Sequence, residues 1–333
     1  MKENKKILVS ILIPILNEKK NISKLFNNLQ QIIKNKPFQV FFIDGGSKDG
    51  TLENLTKLIK SNKKIFILNN KKKTTQYAFN LGLKKAKTEY IALFGAHTNY
   101  PKNYIDICLK EIKKFNAVGC SGKTKFIKNK NLSSLLSNNV LQSNFGTSSK
   151  SSRNLTEGYV KILPYPVYKR KIISKVGGFD NKLTRNQDNN LSNKIINKGY
   201  KLYLTFKTHT KYHGPKNFKE LMSYSYKYGY GNGQMLYHLK KGLSLRHLVP
   251  LFFSLIVIIL LMLLIFNSNS YLVTLFQLPI ILYFLLNFYF SLKILINHKK
   301  LFFMLSPFYF FFFHLTYGIS TLLGLLNIKI KVF

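Results

Sequence analysis

Only 12 Asp and Glu residues stand against 52 Lys and Arg in 333, so a carboxylate at a chemically telling place carries unusual weight. Asp44 ends the apolar run 39–43 (QVFFI) and is followed by Gly45 and Gly46. A carboxylate there is costly unless it accepts hydrogen bonds, which a nucleotide base imide or ribose hydroxyls would donate. Paired glycines let backbone approach a ligand closely. The same three residues also make a plain strand-to-turn signal. Asp188 falls between Gly177-Gly178-Phe179-Asp180 and the amphipathic run Leu191, Ile195, Ile196. It is near a helix start, where a carboxylate is favoured in any case. His97, in Gly95-Ala96-His97, can ligate a divalent metal or donate to a phosphate, and can equally be structural. Lys71, Lys72 and Lys73 precede a helix whose N-terminus favours anions, so a diphosphate could rest there; in so basic a chain they also read as solvated surface. His209 and His213 are spaced like metal ligands but have no evident third partner, and their segment reads as a strand running into a loop.

These residues need a frame. Residues 7–13 predict a buried strand ended by Pro14, and 18–34 an amphipathic helix with Ile22, Leu25, Phe26, Leu29, Ile32 and Ile33 on one face. A strand over 39–43 stops at Asp44, and a helix follows from about Thr51, with Asp49 set to accept its first amide protons. Further strands are expected at 65–68, 90–94 and near 117–121, with helices at 74–86 and 102–115 between them. Such alternation implies an α/β domain, a mostly parallel sheet with helices on both faces. Ligands bind such sheets outside the carboxyl ends of the strands. Four places qualify: 14–18, 44–49, 71–73 and 95–97.

The order of these residues resembles a known family. Val9 to Pro14 (VSILIP) with Asn17-Glu18, then Phe42-Ile43-Asp44-Gly45-Gly46-Ser47-Lys48-Asp49-Gly50-Thr51, look like family-2 glycosyltransferases of the GT-A fold, which is Rossmann-like. Gln76 to Gly82 (QYAFNLG) is similar to that family's donor-side helix, and Tyr90 to Pro101 to its metal-motif strand and loop. Val176-Gly177-Gly178-Phe179-Asp180 followed by Arg185-Asn186-Gln187-Asp188 resembles its acceptor half. The nearest subgroup is the succinoglycan-type, membrane-attached enzymes of bacterial surface-polysaccharide assembly, and the likeness covers residues 7–240.

The resemblance implies a nucleotide-sugar donor and inverting transfer to an acceptor hydroxyl. It implies that Asp44 binds the nucleotide, with Pro14, Asn17, Glu18, Gly45, Gly46, Lys73, Gln76, Asn80 and Ala96 around the nucleotide sugar. Asp188 becomes the base, and Arg185, Asn186 and Gln187 lie on the acceptor side. The chemistry suits these types: charge accumulates on the departing diphosphate and needs a cation, while a carboxylate opposite takes the acceptor's proton. Two positions depart from the family pattern. Where it has Asp-x-Asp or Asp-Ala-His, this chain has Gly95-Ala96-His97, and Asn189 and Asn190 replace acids after the base. A divalent metal, manganese or magnesium, is thus an open expectation with His97 as its candidate ligand. The Gln-x-x-Arg-Trp motif of processive members is missing, since Gln234 is followed by Met-Leu-Tyr and there is no Trp; one sugar per encounter is expected.

A net charge of +40 suggests a nucleic-acid binder at first sight. The Lys excess runs through every segment, however, and the C-terminal third has another character. Residues 248–266, 271–292 and 301–326 are uncharged runs, and 19 residues reach about 28 Å, near the hydrocarbon thickness of a bilayer. Three transmembrane helices are expected. Lys293, Lys299 and Lys300 between the second and third place that loop, and everything before residue 248, on the cytoplasmic side; Lys329 and Lys331 on the far side are a small violation. His314 within the third run reads as a helix-contact residue.

The apolar run 7–13 is too short for a span or leader, and two Cys (Cys108, Cys120) exclude a disulfide scaffold and suit a reducing compartment. The expected organisation is a cytoplasmic GT-A domain over 1–215, a basic-aromatic segment over 216–247 lying in the headgroup layer, and a membrane region over 248–333. The Ser/Asn-rich stretch 131–152 is expected as a mobile loop near the acceptor. Partners would be a nucleotide-sugar donor, a lipid-linked or polysaccharide acceptor and anionic lipid, with no nucleic acid; the sequence sets no oligomeric state. The chain reads as a multi-pass protein of a bacterial-type inner membrane that adds one sugar to a lipid-linked glycan. Its rivals are a polyprenyl-phosphate glycosyltransferase and an inactive sugar-nucleotide-binding subunit.

Overall fold

The first apolar run becomes strand β1 (Val9–Ile15), buried along nearly all its length, and the sheet grows outward from it. The computed structural model describes residues 7–59, 62–127, 131–147, 155–183, 186–239, 245–266, 270–328 and 330. It divides into two units, Met1–Ile127 with Leu155–His213, and Lys128–Asn154 with Gly214–Phe333. In the first, β1 is followed by α1 (Ile22–Ile33), β2 (Phe38–Asp44), α2 (Thr51–Ile59), β3 (Ile65–Asn69), α3 (Thr75–Lys85) and β4 (Tyr90–Leu93). Next come β5 (Thr98–Asn99), α4 (Tyr104–Lys114) and β6 (Gly119–Phe126). After α5 (Leu132–Gln142), which belongs to the second unit, the first resumes with β7 (Gly158–Tyr159), β8 (Val167–Lys169), α6 (Arg170–Lys175), α7 (Gln187–Asn197) and β9 (Leu202–Tyr212).

These strands form one nine-stranded sheet in the order β3-β2-β1-β4-β8-β6-β9-β5, with β7 also on β9. The half from β3 to β4 is parallel, as strand–helix alternation predicts. The other half is mixed: β8 runs antiparallel between β4 and β6, while β6 and β9 are parallel. Alternate residues of each strand serve opposite faces. Ile11 and Ile13 of β1, Val40 and Phe42 of β2 and Ala92 of β4 pack with α1, α2 and α4. Leu12, Ile43 and Leu93 pack on the other face with α3, α6 and α7. Cys108 and Cys120 are buried in the first layer as free thiols.

Two expected boundaries move. Pro14 does not end β1; it pairs with Ile43, and the strand runs on to Ile15. Pairing with β4 stops at Leu12, whose carbonyl accepts Phe94 N. Groups two residues apart point the same way, so Pro14 faces a side β4 has left, and its missing N–H breaks no ladder bond. Helix α1 starts at Ile22 instead of residue 18, because Asn21 N and Ile22 N both donate to Glu18 O in a turn before it. Glu18 is thereby released from the helix.

The second unit gathers α5 with α8 (Phe218–Leu239), α9 (Val249–Ile265), α10 (Ser270–His298) and α11 (Ser306–Leu325). Residues 132–142 are thus a helix and not a mobile loop. Asn131 Oδ1 caps it by accepting Ser133 N and Ser134 N, and Leu136, Val140 and Leu141 are buried. Residues 148–152 of the expected loop lie outside the described residues. Two helical stretches, Tyr271–His298 and Leu301–Leu325, are long and apolar enough to cross a membrane, while Val249–Ile265 has 17 residues and falls short of that length. Three spans were expected, and two among the described residues meet the test. Lys329, Lys331 and loop residues 267–269 lie outside the described residues. His314 bridges Tyr283 Oη and Phe145 O at 3.0 Å each, a contact between elements.

Helix α8 changes the reading of 216–247. It lies lengthwise and parallel along α11: the Phe218 ring meets Tyr309, Ser225 Oγ donates to Phe313 O at 2.6 Å, and Gly233 meets Thr321. A Cβ on Gly233 would overlap Thr321 O, so the helices touch backbone to backbone, the close approach small residues permit in bilayers. One face of the segment is a helix contact and not a lipid surface; residues 240–244 lie outside the described residues.

Gly82 performs a similar service for the site. A Cβ there would stand 2.8 Å from Ile43 Cδ1 and Leu12 Cδ2, so α3 rests against β1 and β2 only because position 82 is bare. Gly82→Val is expected to cost about 1–3 kcal/mol through overpacking, read as a lowered denaturation midpoint of the detergent-solubilised chain; an unchanged midpoint would contradict this packing.

Candidate active site

Where β1 and β2 end side by side, the two following loops are laced together. Gly45 N donates to Ile15 O at 2.9 Å. Asn17, left-handed at φ 54°, donates its N–H to Ser47 Oγ and accepts Lys48 N on Oδ1, both at 2.9 Å. Glu18 N donates to Thr51 Oγ1 at 2.7 Å, and Lys19 N to Asp49 Oδ2 at 3.0 Å. Asp49 Oδ1 accepts Thr51 N at the start of α2, the capping role expected of it. The Thr51 hydroxyl donates to the same oxygen, and that bond, more than the backbone amides, holds the Asp49 carboxyl below its ordinary range.

Asp44 is 2% exposed, and its carboxylate accepts Gly46 N at 2.8 Å, Ser47 N at 3.1 Å and Ser47 Oγ at 2.5 Å. The carboxylate is therefore satisfied by the turn itself, in which Gly45 is buried and Gly46 exposed. Asn70 N donates to Asp44 O, and Lys73 N to Asn70 O, so the turn carrying Lys73 hangs from the end of β2. Lys73 Cα comes within 3.6 Å of where a Gly45 Cβ would stand. Asn17, Glu18, Asp44, Gly45, Gly46 and Lys73 thus share one loop cluster.

His97 joins it from the β4 side. Its Nε2 lies 2.9 Å from Glu18 Oε1, and its Nδ1 lies 3.2 Å from Asn21 Nδ2, which also donates to Glu18 Oε2. Glu18 is buried and His97 largely exposed. Sequence spacing could not show this pair, since 79 positions separate its members only on paper and the shortened α1 frees Glu18 to reach across. Gly95 N donates to Tyr100 Oη at 2.8 Å, and Ala96 packs on the first core layer. Among the described residues no three His, Cys, Asp or Glu side chains converge on one point. His209 lies within β9, where burial first, then Lys125 and Lys211, lowers its proton affinity.

Helix α3 holds the segment that precedes the residues expected on the acceptor side. Gln76 Nε2 donates to Leu183 O, and Asn80 grips Phe179 through both N–H and C=O. Beyond this segment, Asn186 takes a left-handed conformation at φ 58° before α7, Gln187 opens the helix, and Asp188 is exposed in its first turn. Arg185 lies outside the described residues. Tyr168, buried on β8, has its phenol pushed well above the ordinary range by burial first, with Ser192 opposing and the nearby Asp188 charge adding to the rise. Sequence reading missed Ser47, Asn21, Tyr100 and Tyr168; the Ser47 hydroxyl three residues after Asp44 was the one local signal.

The family model of glycosyl transferase family 2 matches residues 10–177, half of the chain. Succinoglycan biosynthesis protein ExoA of Rhizobium meliloti (strain 1021) is 25% identical over 248 residues, covering 72% of this chain and 74% of that one. A dolichyl N-acetyl-alpha-D-glucosaminyl phosphate 3-beta-D-2,3-diacetamido-2,3-dideoxy-beta-D-glucuronosyltransferase of Methanococcus voltae is 30% identical over 240 residues, 68% of this chain and 74% of that one. Among solved structures, mannosyltransferase PcManGT from Pyrobaculum calidifontis, in complex with GDP-Man and Mn2+, gives a TM-score of 0.54 at 14% identity, covering 72% of this chain and 66% of that one. At such identity the likeness concerns the fold alone.

The lacing has a pH signature. Because the native Asp49 pKa lies below its unbonded value of 3.8, its contribution is complete above about pH 4 and is lost as pH falls through the lowered native value. Asp49→Asn is expected to lower the thermal midpoint at pH 7, with the gap to the parent narrowing below pH 4. An equal gap at both pH values would show that the charge is not what matters.

Proposed function

The chain belongs to glycosyltransferase family 2, and from that premise we propose that it moves one sugar, with inversion, from a nucleotide-sugar donor to a hydroxyl of a lipid-linked glycan in cell-surface polysaccharide synthesis. The observation that carries this reading is the reach of α3. Its leading turn, with Lys73, abuts Gly45 of the laced loops, while Gln76 and Asn80 hold the segment that precedes Asp188. One helix therefore serves a shelf fit for a nucleotide and an exposed carboxylate fit to be a base.

Each residue then has a task. Pro14 and Ile15 carry β1 to the shelf, Asn17 and Ser47 fix its loops, and buried Asp44 shapes the Gly45-Gly46 turn on which the nucleotide would rest. Ala96, next to His97 in sequence, packs on the first core layer. Lys73 stands where a departing diphosphate gathers charge. Asp188 would accept the acceptor's proton as its oxygen attacks the anomeric carbon from the face opposite the leaving group. Asn186 and Gln187 would line the acceptor side, with Arg185 next to them in sequence.

Glu18 and His97 offer one oxygen and one nitrogen donor side by side. That set fits a divalent cation which takes its other ligands from substrate phosphates and water. Such an ion would neutralise charge on the leaving diphosphate. Glu18 then provides the carboxylate that Gly95 lacks.

The two membrane-length helical stretches support a multi-pass protein of a bacterial-type inner membrane. If the shorter run 248–266 crosses as well, Lys293 in the last turns of α10, with Lys299 and Lys300 just after it, would favour a cytoplasmic catalytic unit. A lipid-linked acceptor would meet such an enzyme in two dimensions.

A panel of UDP-, GDP- and TDP-sugars with membrane-derived acceptors tests the reading, and at least one donor should turn over. Asp188→Asn should lower kcat by about 100-fold or more while nucleotide affinity, read by calorimetry, stays within about twofold. EDTA should suppress turnover and manganese restore it. Nucleotide binding without turnover would favour the inactive subunit, sugar transfer onto polyprenyl phosphate itself would favour the other rival, and an active Asp188→Asn removes that residue as base.

A further inference from the structure

Asn80 sits where the resemblance implies a nucleotide contact, yet its amide is engaged elsewhere. Nδ2 donates to Phe179 O at 2.8 Å and to Asn181 Oδ1 at 3.0 Å, and Oδ1 accepts Phe179 N at 2.9 Å. An amide has two N–H donors and a carbonyl with two lone pairs, so both donors are used and one of the carbonyl's acceptor positions is taken. One turn earlier Gln76, 1% exposed, donates to Leu183 O. The ring of Phe79 packs on Phe179 with centroids 5.0 Å apart.

The grip continues into α7. Lys194 Nζ donates to Gly178 O at 3.2 Å, and Leu191 and Ile195 share a core with Phe79 and Leu83. The fit is tight: Gly178, at φ 63°, leaves 2.8 Å between its would-be Cβ and Asn80 Oδ1. Three successive residues of one α3 face and one side chain of α7 thus converge on the segment 178–183.

We infer that Asn80, together with Gln76, is a positioning residue for Asp188, fixing the strand of chain that carries the base instead of contacting the nucleotide. The inference rests on the function proposed above, in which Asp188 takes the acceptor's proton. Leu191 and Ile195 of α7 pack with Phe79 and Phe179, and Lys194 holds Gly178 O, so a slip of the clamped backbone would be passed to the helix that carries Asp188. A displacement of about 1 Å in a reacting group lowers a rate by on the order of 100-fold. Nucleotide binding, which depends on the laced loops and Lys73, would be spared.

The test uses the full chain in detergent or vesicles. Asn80→Ala is expected to lower kcat about 10- to 100-fold with the dissociation constant for the donor's free nucleoside diphosphate within about twofold. Amide exchange should quicken in 179–183 and 186–191 and stay unchanged in β1 and β2. Gly178→Ala presses on the same clamp from the other side and should give the same split. A nucleotide affinity that falls in step with kcat in Asn80→Ala, or an unchanged kcat, overturns the inference. If the parent chain binds nucleotide but transfers no sugar, the proposed function fails instead, and exchange alone then decides the clamp: unaltered exchange at 179–191 in Asn80→Ala overturns it.

Discussion

Two loops leaving adjacent parallel strands each carry backbone groups that no strand will pair, and in this protein each loop answers for the other. Ser47, Asp49 and Thr51 receive the amides of Asn17, Lys19 and Glu18, while Asn17 receives that of Lys48. The rest of the candidate site depends on this exchange. It fixes the turn over Asp44, with Gly45 buried beside Lys73 and Gly46 exposed, and leaves Glu18 outside α1 and within reach of His97. Short polar side chains bridging two loops make a rigid shelf from segments with almost no apolar core of their own.

Much of this was legible from residue order, for a physical reason. Doubly buried parallel strands read as unbroken apolar runs, and amphipathic helices repeat every three or four residues, so β1 to β4 and α1 to α4 announce themselves locally. The half beyond β4 does not. β8 has three residues and is placed between β4 and β6 by pairing across long stretches of sequence, and no local pattern encodes that. Pro14 misled because its effect depends on whether a neighbour strand is still present at that depth. The stretch 131–152 misled because Ser and Asn composition hides Leu136, Val140 and Leu141 at helical spacing. At the site, Asp44 and Asp188 were visible as residue types, but what surrounds them was not: Glu18 beside His97 and Tyr168 near Asp188 are facts of three dimensions.

The charge of +40 takes on a more definite sense in the same light. With 12 carboxylates for 52 cations, the chain cannot neutralise itself, and several of the carboxylates it has are occupied with structure. Glu111 holds Lys207, Asp106 holds Lys36, Asp49 and Asp44 hold turns. Most lysines must find their counter-charges outside the protein. A surface of this kind draws anions without selecting among them, so selection falls to the few geometrically fixed groups.

The clamp on 178–183 has one more consequence. Asn80 and Gln76 take hold of peptide N–H and C=O groups and are indifferent to most of the side chains those peptides carry. The segment can therefore exchange its outward residues freely while its course stays the same, as a rail keeps its line whatever is mounted on it. Under the function proposed above, a fold that secures its backbone in this way could drift toward new acceptors by changing outward residues, with the proposed base, Asp188, left where it was.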